Sequence, residues 1–155
     1  MDSIIELART LGPYAICGEG NVSVKDDDCF WVKASGTSLD TLEKKDLVAC
    51  KMSGVPFDSL GLKPSIETSF HAWLQREFDA IKFVAHTHPP KTMQVVCSEQ
   101  IHSFAEHRLF PDQVVRNGAK SCVVPYAMPG KPLLEEIKKS VLAFIEVEEY
   151  FPKLI

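Results

Sequence analysis

No stretch of this 155-residue sequence approaches the roughly 18 consecutive apolar residues that a membrane-spanning helix requires. The first residues, Met1-Asp2-Ser3-Ile4-Ile5-Glu6, lack both the basic flank and the apolar segment of a secretory leader. Basic residues are not in surplus either. Lys and Arg number 17 against 21 Asp and Glu, giving a net charge of -4 and an isoelectric point near 5.7. A broad positive face for nucleic acid or an anionic membrane surface is therefore excluded. No CxxC pair occurs, and the five cysteines (Cys17, Cys29, Cys50, Cys97, Cys122) are an odd number. They read as buried or free thiols in a reducing compartment, which argues against a disulfide framework and against a catalytic thiol. Internal repeats and low-complexity tracts are also missing. The expectation is a cytoplasmic chain with a small-molecule partner, and with neither nucleic acid nor membrane among its partners.

What is present is enough apolar sequence, 45% of residues, to build a core in one domain spanning 1–155. Ile4, Ile5, Leu7, Ala8 and Leu11 fall at helical spacing, and Gly12-Pro13 closes that helix. Val22-Ser23-Val24-Lys25 alternates, an Asp-rich turn follows, and Cys29-Phe30-Trp31-Val32-Lys33 completes a hairpin signal. Leu47-Val48-Ala49-Cys50 reads as a further strand, followed by a Gly- and Pro-rich loop to Pro64. Ser65 is placed to cap a helix carrying Ile66, Phe70, Trp73 and Leu74 on its buried face, with Glu67 one turn inside it. The run Ile81 to Ala85, an apolar segment from Met93 to Cys97, a strand at Ser121-Cys122-Val123-Val124 and a helix from Leu133 to about Val147 follow. Phe151-Pro152-Lys153-Leu154-Ile155 resembles the opening of another strand. Strands interleaved with helices predict a layered α/β fold.

The tripeptide His86-Thr87-His88 stands at the end of that apolar run and is stopped by Pro89-Pro90. Residues two apart on a strand share a face, so both imidazoles can reach one ion; a bare pair is equally compatible with two surface histidines. Three more segments are candidates for the same pocket: Gly18-Glu19-Gly20-Asn21, Ala34-Ser35-Gly36-Thr37 and Pro64-Ser65-Ile66-Glu67. Glycines let backbone approach an anion, and Asn or Ser side chains add donors, although ordinary turn chemistry uses the same residues. A partly desolvated carboxylate such as Glu67 beside an ion serves as ligand or as general base.

Taken in order, these segments, with Phe70-His71, Val124-Pro125-Tyr126 and Pro129-Gly130, resemble the class II aldolase/adducin family. That family includes fuculose- and rhamnulose-phosphate aldolases and ribulose-phosphate 4-epimerases. The resemblance implies a three-layer α-β-α domain with a central mixed sheet. It implies that His86 and His88 bind a divalent ion, Zn2+ in the first instance with Co2+, Mn2+ or Fe2+ as alternatives. It makes Glu67 the acid/base, and Asn21, Ser35, Gly36 and Ser65 the holders of a substrate phosphate. The implied activity is that of a metal-dependent aldolase-type lyase, cleaving a ketose phosphate or related sugar through a stabilised enediolate in a homo-oligomer, a tetramer.

Two departures from the family pattern stand out. The third metal histidine of family aldolases, in an Asn-His-Gly segment, corresponds to a position beyond Ile155, so the chain reads as C-terminally truncated. His71, His102 and His107 are the available substitutes, and Tyr126 is the best match to a tyrosine that a neighbouring subunit contributes. Gly18 and Ile66 replace hydroxyl residues of many family aldolases, removing two donors. The alternatives are a non-catalytic, adducin-like oligomerisation or ligand-binding module, and a 4-epimerase or dehydratase of the same fold.

Overall fold

Asp27, at φ 46°, supplies the left-handed residue that a two-residue hairpin connection needs. It joins β1 (Asn21–Asp26) to β2 (Cys29–Lys33), the centre of a four-stranded sheet. β3 (Leu47–Lys51) pairs with β2 and β4 (Phe83–His86) pairs with β1, giving the order β3-β2-β1-β4. The computed structural model describes residues 1–57 and 61–155, so the loop read after β3 lies partly, at 58–60, outside the described residues. By contacts the chain forms two units, Met1–Pro90 and Lys91–Ile155.

In the first unit the sheet separates two helices. On one face Val22, Val24 and Leu47 pack with Ile4 and Ala8 of α1 (Asp2–Leu11) and with Leu39 and Leu42. Burying Ile4 alone is worth about 2 kcal/mol. On the other face Phe30, Val32, Val48 and Cys50 pack against Ala72 of α2 (Thr68–Glu77). The three-layer α/β arrangement expected from the sequence is therefore present within this unit. Its described strands pair only antiparallel, where a mixed sheet is the sequence expectation. The reason is that α2 carries the chain from β3 to the opposite edge of the sheet, where β4 enters running against β1.

The start of α2 also differs from the sequence reading. Ser65 is not its cap: the helix begins at Thr68, with Glu67 at the N-cap position. Ser65 instead accepts the Glu67 N–H at 3.4 Å in a preceding turn. Ile66, expected in the core, is off the helix and 68% exposed.

The second unit contains α4 (Ile101–Glu106), α5 (Pro111–Asn117) and α6 (Lys131–Glu148), and α3 (Pro90–Val96) begins at its boundary and carries most of the Met93-to-Cys97 segment. Ile137 and Val141 are the buried centre of the stripe predicted on α6. The strands predicted at Ser121–Val124 and from Phe151 do not form a ladder; Cys122 N–H meets Leu154 O in a single bond of 3.0 Å. Arg108 holds the 118–121 segment instead, donating to Gly118 O and to Ser121 Oγ, each at 2.9 Å. No helix among the described residues is long and apolar enough to cross a membrane.

One buried polar pair crosses the α2 face. His71 is fully buried and shares a hydrogen bond of 2.7 Å between its Nδ1 and Ser23 Oγ. Burial, reinforced by nearby His86, pushes the His71 imidazole down to about 3. The native state thus refuses a proton that the unfolded chain, with an ordinary value of 6.5, accepts. His71 costs nothing above pH 6.5, and stability falls as pH drops from there toward 3, by about 1.4 kcal/mol per unit. Urea unfolding at pH 7.5 and 5.0 should show about 2 kcal/mol more loss in the wild type than in His71→Gln.

Candidate functional site

The register of the sheet sets Asn21 opposite His86 and Ser23 opposite Val84. All four side chains therefore face α2, and the first pair stands at the end of the sheet nearest the start of that helix. Asn21 is buried, and its Nδ2 donates to Glu67 Oε2 at 2.6 Å. Glu67 Oε2 lies 3.5 Å from His86 Nδ1, and the glutamate side chain is only 14% exposed. As the N-cap residue of α2 it also stands where the helix dipole favours negative charge.

β4 ends at His86, and His88 lies beyond the ladder, its N–H bonded to Tyr14 O at 3.0 Å. The rings nevertheless meet as their spacing predicts. Their centroids are 4.7 Å apart, and the two Nε2 atoms approach to 2.5 Å. On its far side His88 Nδ1 is 2.5 Å from Glu19 Oε2. A carboxylate only accepts, so the contact with Glu19 favours the His88 tautomer that carries its proton on Nδ1 and turns its Nε2 lone pair to His86. One hydrogen shared between the two nitrogens, as in an N–H···N bond, accounts for that approach. Burial holds His86 below the ordinary imidazole value, the Glu67 carboxylate opposes that shift, and His88 adds to it. Imidazole nitrogens are the donor type that a divalent ion takes, and the two Nε2 atoms face one another more closely than two ligands of one ion stand, so ligation requires the rings to part. Among the described residues no group of three His, Cys, Asp or Glu side chains is disposed around one ion.

The phosphate candidates come together beside this pair. Ala34 and Pro64 form an isolated bridge, flanked by Ser35 N–H to Lys63 O at 2.8 Å and Ser65 N–H to Lys33 O at 3.1 Å. Both serines have thus committed their backbone donors; the Ser35 hydroxyl donates to Pro64 O at 3.3 Å, and Ser65 Oγ accepts from Glu67 N–H. Gly36, exposed at φ 81°, forms the turn between the bridge and Thr37. All seven residues singled out from the sequence lie in the first unit, at the segments that surround the Asn21–His86 end of the sheet.

Two further residues escape the sequence reading. Lys33 is buried, and its ammonium donates to Ala34 O at 3.2 Å and Thr37 O at 2.5 Å, tying the Ser35-Gly36 turn from beneath. Burial lowers its affinity for the proton, and Asp46 opposes that shift. Glu19 has a role that its glycine-rich segment does not announce. Of the substitute ligands, His71 bonds Ser23 through Nδ1 and keeps a buried, unpartnered Nε2, and His107 bonds Ser103 O through Nδ1. Tyr126 is 89% exposed, its hydroxyl on Met128 Sδ. Burial pushes the thiols of Cys50 and Cys122 up to about 11, so neither is a nucleophile at neutral pH.

Residues 4–148 match the family described as Class II Aldolase and Adducin N-terminal domain. The chain is 30% identical over 124 residues to the 3-oxo-tetronate 4-phosphate decarboxylase of Haemophilus influenzae, covering 79% of this chain and 58% of that protein. It is 31% identical over 90 residues to the L-fuculose phosphate aldolase of Methanococcus maripaludis, covering 57% and 48%. The crystal structure of YgbL from Escherichia coli superposes with a TM-score of 0.77 at 25% identity, covering 89% of this chain and 68% of that one. The chain spans about half the length of the curated relatives it matches. The names of such relatives divide among decarboxylase, aldolase, dehydratase and 4-epimerase, so one fold serves several reactions.

Gly20 tests the geometry directly. Its φ is 90°, and a Cβ there would stand 2.8 Å from His86 O, whereas at Gly36 nothing lies within 4 Å. Gly20→Ala should cost about 2 kcal/mol or more in urea unfolding, since strain and a forced shift of the β4 end add together. Gly36→Ala should cost only about 1 kcal/mol.

Proposed function

Since the chain belongs to the class II aldolase and adducin family, we propose that it is a metal-dependent lyase that breaks a carbon–carbon bond beside the ketone of a small phosphorylated sugar. The observation that carries this reading is the convergence of His86 Nε2 and His88 Nε2, 2.5 Å apart, with Glu67 alongside. His86 and His88 would hold the ion, Zn2+ first and Co2+, Mn2+ or Fe2+ as alternatives. When bound it supplies Lewis-acid stabilisation of the negative charge that builds on the ketone oxygen.

The chain's own residues do the rest. In the cleavage direction the neighbouring carbinol hydroxyl gives up its proton, its carbon–carbon bond breaks so that the carbon leaves as an aldehyde, and the carbon beside the ketone takes up a proton. Glu67 carries that proton. The short bond from Asn21 fixes its Oε2, and the low exposure of the carboxylate keeps bulk water from competing for the transfer. Ser35 and Ser65 donate through their hydroxyls to the phosphate, and Gly36 lets it approach the turn that Lys33 braces. The resemblance also carries a homotetramer and a cytoplasmic setting into this proposal.

Decarboxylation, 4-epimerisation and dehydration use the same charge stabilisation on different bonds, and a substrate panel separates them. The second reading, a non-catalytic adducin-like module, draws on the absence of a three-residue ligand group among the described residues.

Elemental analysis of the purified chain should find close to one equivalent of metal, restored by zinc after chelation and lost in His86→Ala. Absence of specific metal in the wild type would favour the non-catalytic module. Glu67→Gln should keep its metal and its fold while solvent-proton exchange beside the ketone falls by about 100-fold or more, as followed by NMR in deuterated water. Exchange at the wild-type rate would remove Glu67 from the acid/base role.

A further inference from the structure

We propose that Glu19 is the positioning residue of the site, holding the His88 ring in orientation and in the tautomer that presents Nε2 to its partner. This inference rests on the proposed role of His86 and His88 as the metal-holding pair.

The two histidines are secured in different ways. His86 belongs to β4 and pairs with Asn21, so the ladder fixes its backbone and the α2 face confines its ring. His88 stands past the strand end, outside the ladder, with its backbone N–H on Tyr14 O. The His88 ring's polar contacts are Glu19 on Nδ1 and His86 on Nε2, each at 2.5 Å.

Glu19 is itself placed by a loop of defined shape. It lies between Gly18 at φ 76° and Gly20 at φ 90°, and Gly20 sits so close to His86 O that no side chain fits between them. The segment carrying Glu19 is thus locked against the strand that leads to His88. Accepting the Nδ1 proton does two things. It leaves the lone pair on Nε2, and it makes that nitrogen a stronger donor, as a carboxylate behind a ligating imidazole does elsewhere. Glu67 stands behind His86 Nδ1 at 3.5 Å, a looser contact, so Glu19 has no substitute within the pair.

Two measurements test this. Zinc affinity is read by chelator competition at pH 8 in the wild type, Glu19→Ala and Glu19→Gln. The His88 tautomer is read from long-range nitrogen–proton NMR correlations of the metal-free chain at the same pH. The expected results are an Nδ1–H tautomer in the wild type and its loss in Glu19→Ala. Zinc affinity should be about 10- to 100-fold weaker in Glu19→Ala, with Glu19→Gln, which keeps an acceptor, in between. Zinc affinity unchanged in Glu19→Ala, or an Nε2–H tautomer in the wild type, would overturn the proposal. If the wild type binds no zinc, the metal reading fails; the tautomer measurement then decides the role of Glu19 alone.

Discussion

Setting Asn21 opposite His86 also sets Ser23 opposite Val84 and Val24 opposite Phe83. Side chains alternate across a strand, so a slip of one residue between β1 and β4 would turn His86 to the α1 side and separate it from Glu67. The register is specified by what each face buries. Val22 and Val24 are committed to Ile4, Ala8, Leu39 and Leu42, and moving them to the other face would expose them beside α2. The apolar core under α1 therefore aims the polar residues at α2. Stability on one side of the sheet is the cause of geometry on the other.

The two faces differ in kind. The α1 side is apolar except for Lys33, whereas the α2 side buries Asn21, Ser23, Thr68, His71 and Gln75 alongside its apolar cluster of Phe30, Val32, Val48, Cys50 and Ala72. Each buried polar group loses hydration that its hydrogen bonds only partly replace. Asn21 Oδ1 and His71 Nε2 have no protein partner. A hydrophobic α2 face would be more stable. The polar one is what permits a carboxylate and two imidazoles to stand together, and the cost is carried by the apolar core opposite.

Much of this was legible in the chain because local signals and tertiary demands agreed. Alternation around Asp26 to Asp28 specified the hairpin, and the His-x-His spacing placed two rings on one side even though His88 lies past the ladder. The failures have physical reasons. Ile66 reads as a core residue because it is apolar and in phase with Phe70, but the turn that Ser65 and Glu67 make delays the helix to Thr68 and breaks that phase. Ser121–Val124 has the composition of a strand, yet composition names no partner, and arginine bonds hold the segment instead. Glu19 was invisible because nothing local ties a loop carboxylate to an imidazole 69 positions away; only the fold brings them together.

The charges around the pair point in one direction. Glu19 and Glu67 lie behind the two imidazoles, and the ammonium of Lys33 is turned away, spent on the carbonyls of Ala34 and Thr37. Nothing described at the pair itself offsets the carboxylates. On the proposed reading a phosphate at the exposed Ser35-Gly36 turn adds further negative charge to this site. If both sites are occupied as proposed, anion binding at the turn and cation binding at the histidines are coupled. On the proposed reading each strengthens the other, and by linkage the factor is the same in both directions. The site is better regarded as one electrostatic unit than as a metal pair with a separate phosphate cradle, and Glu19 and Glu67 set its sign.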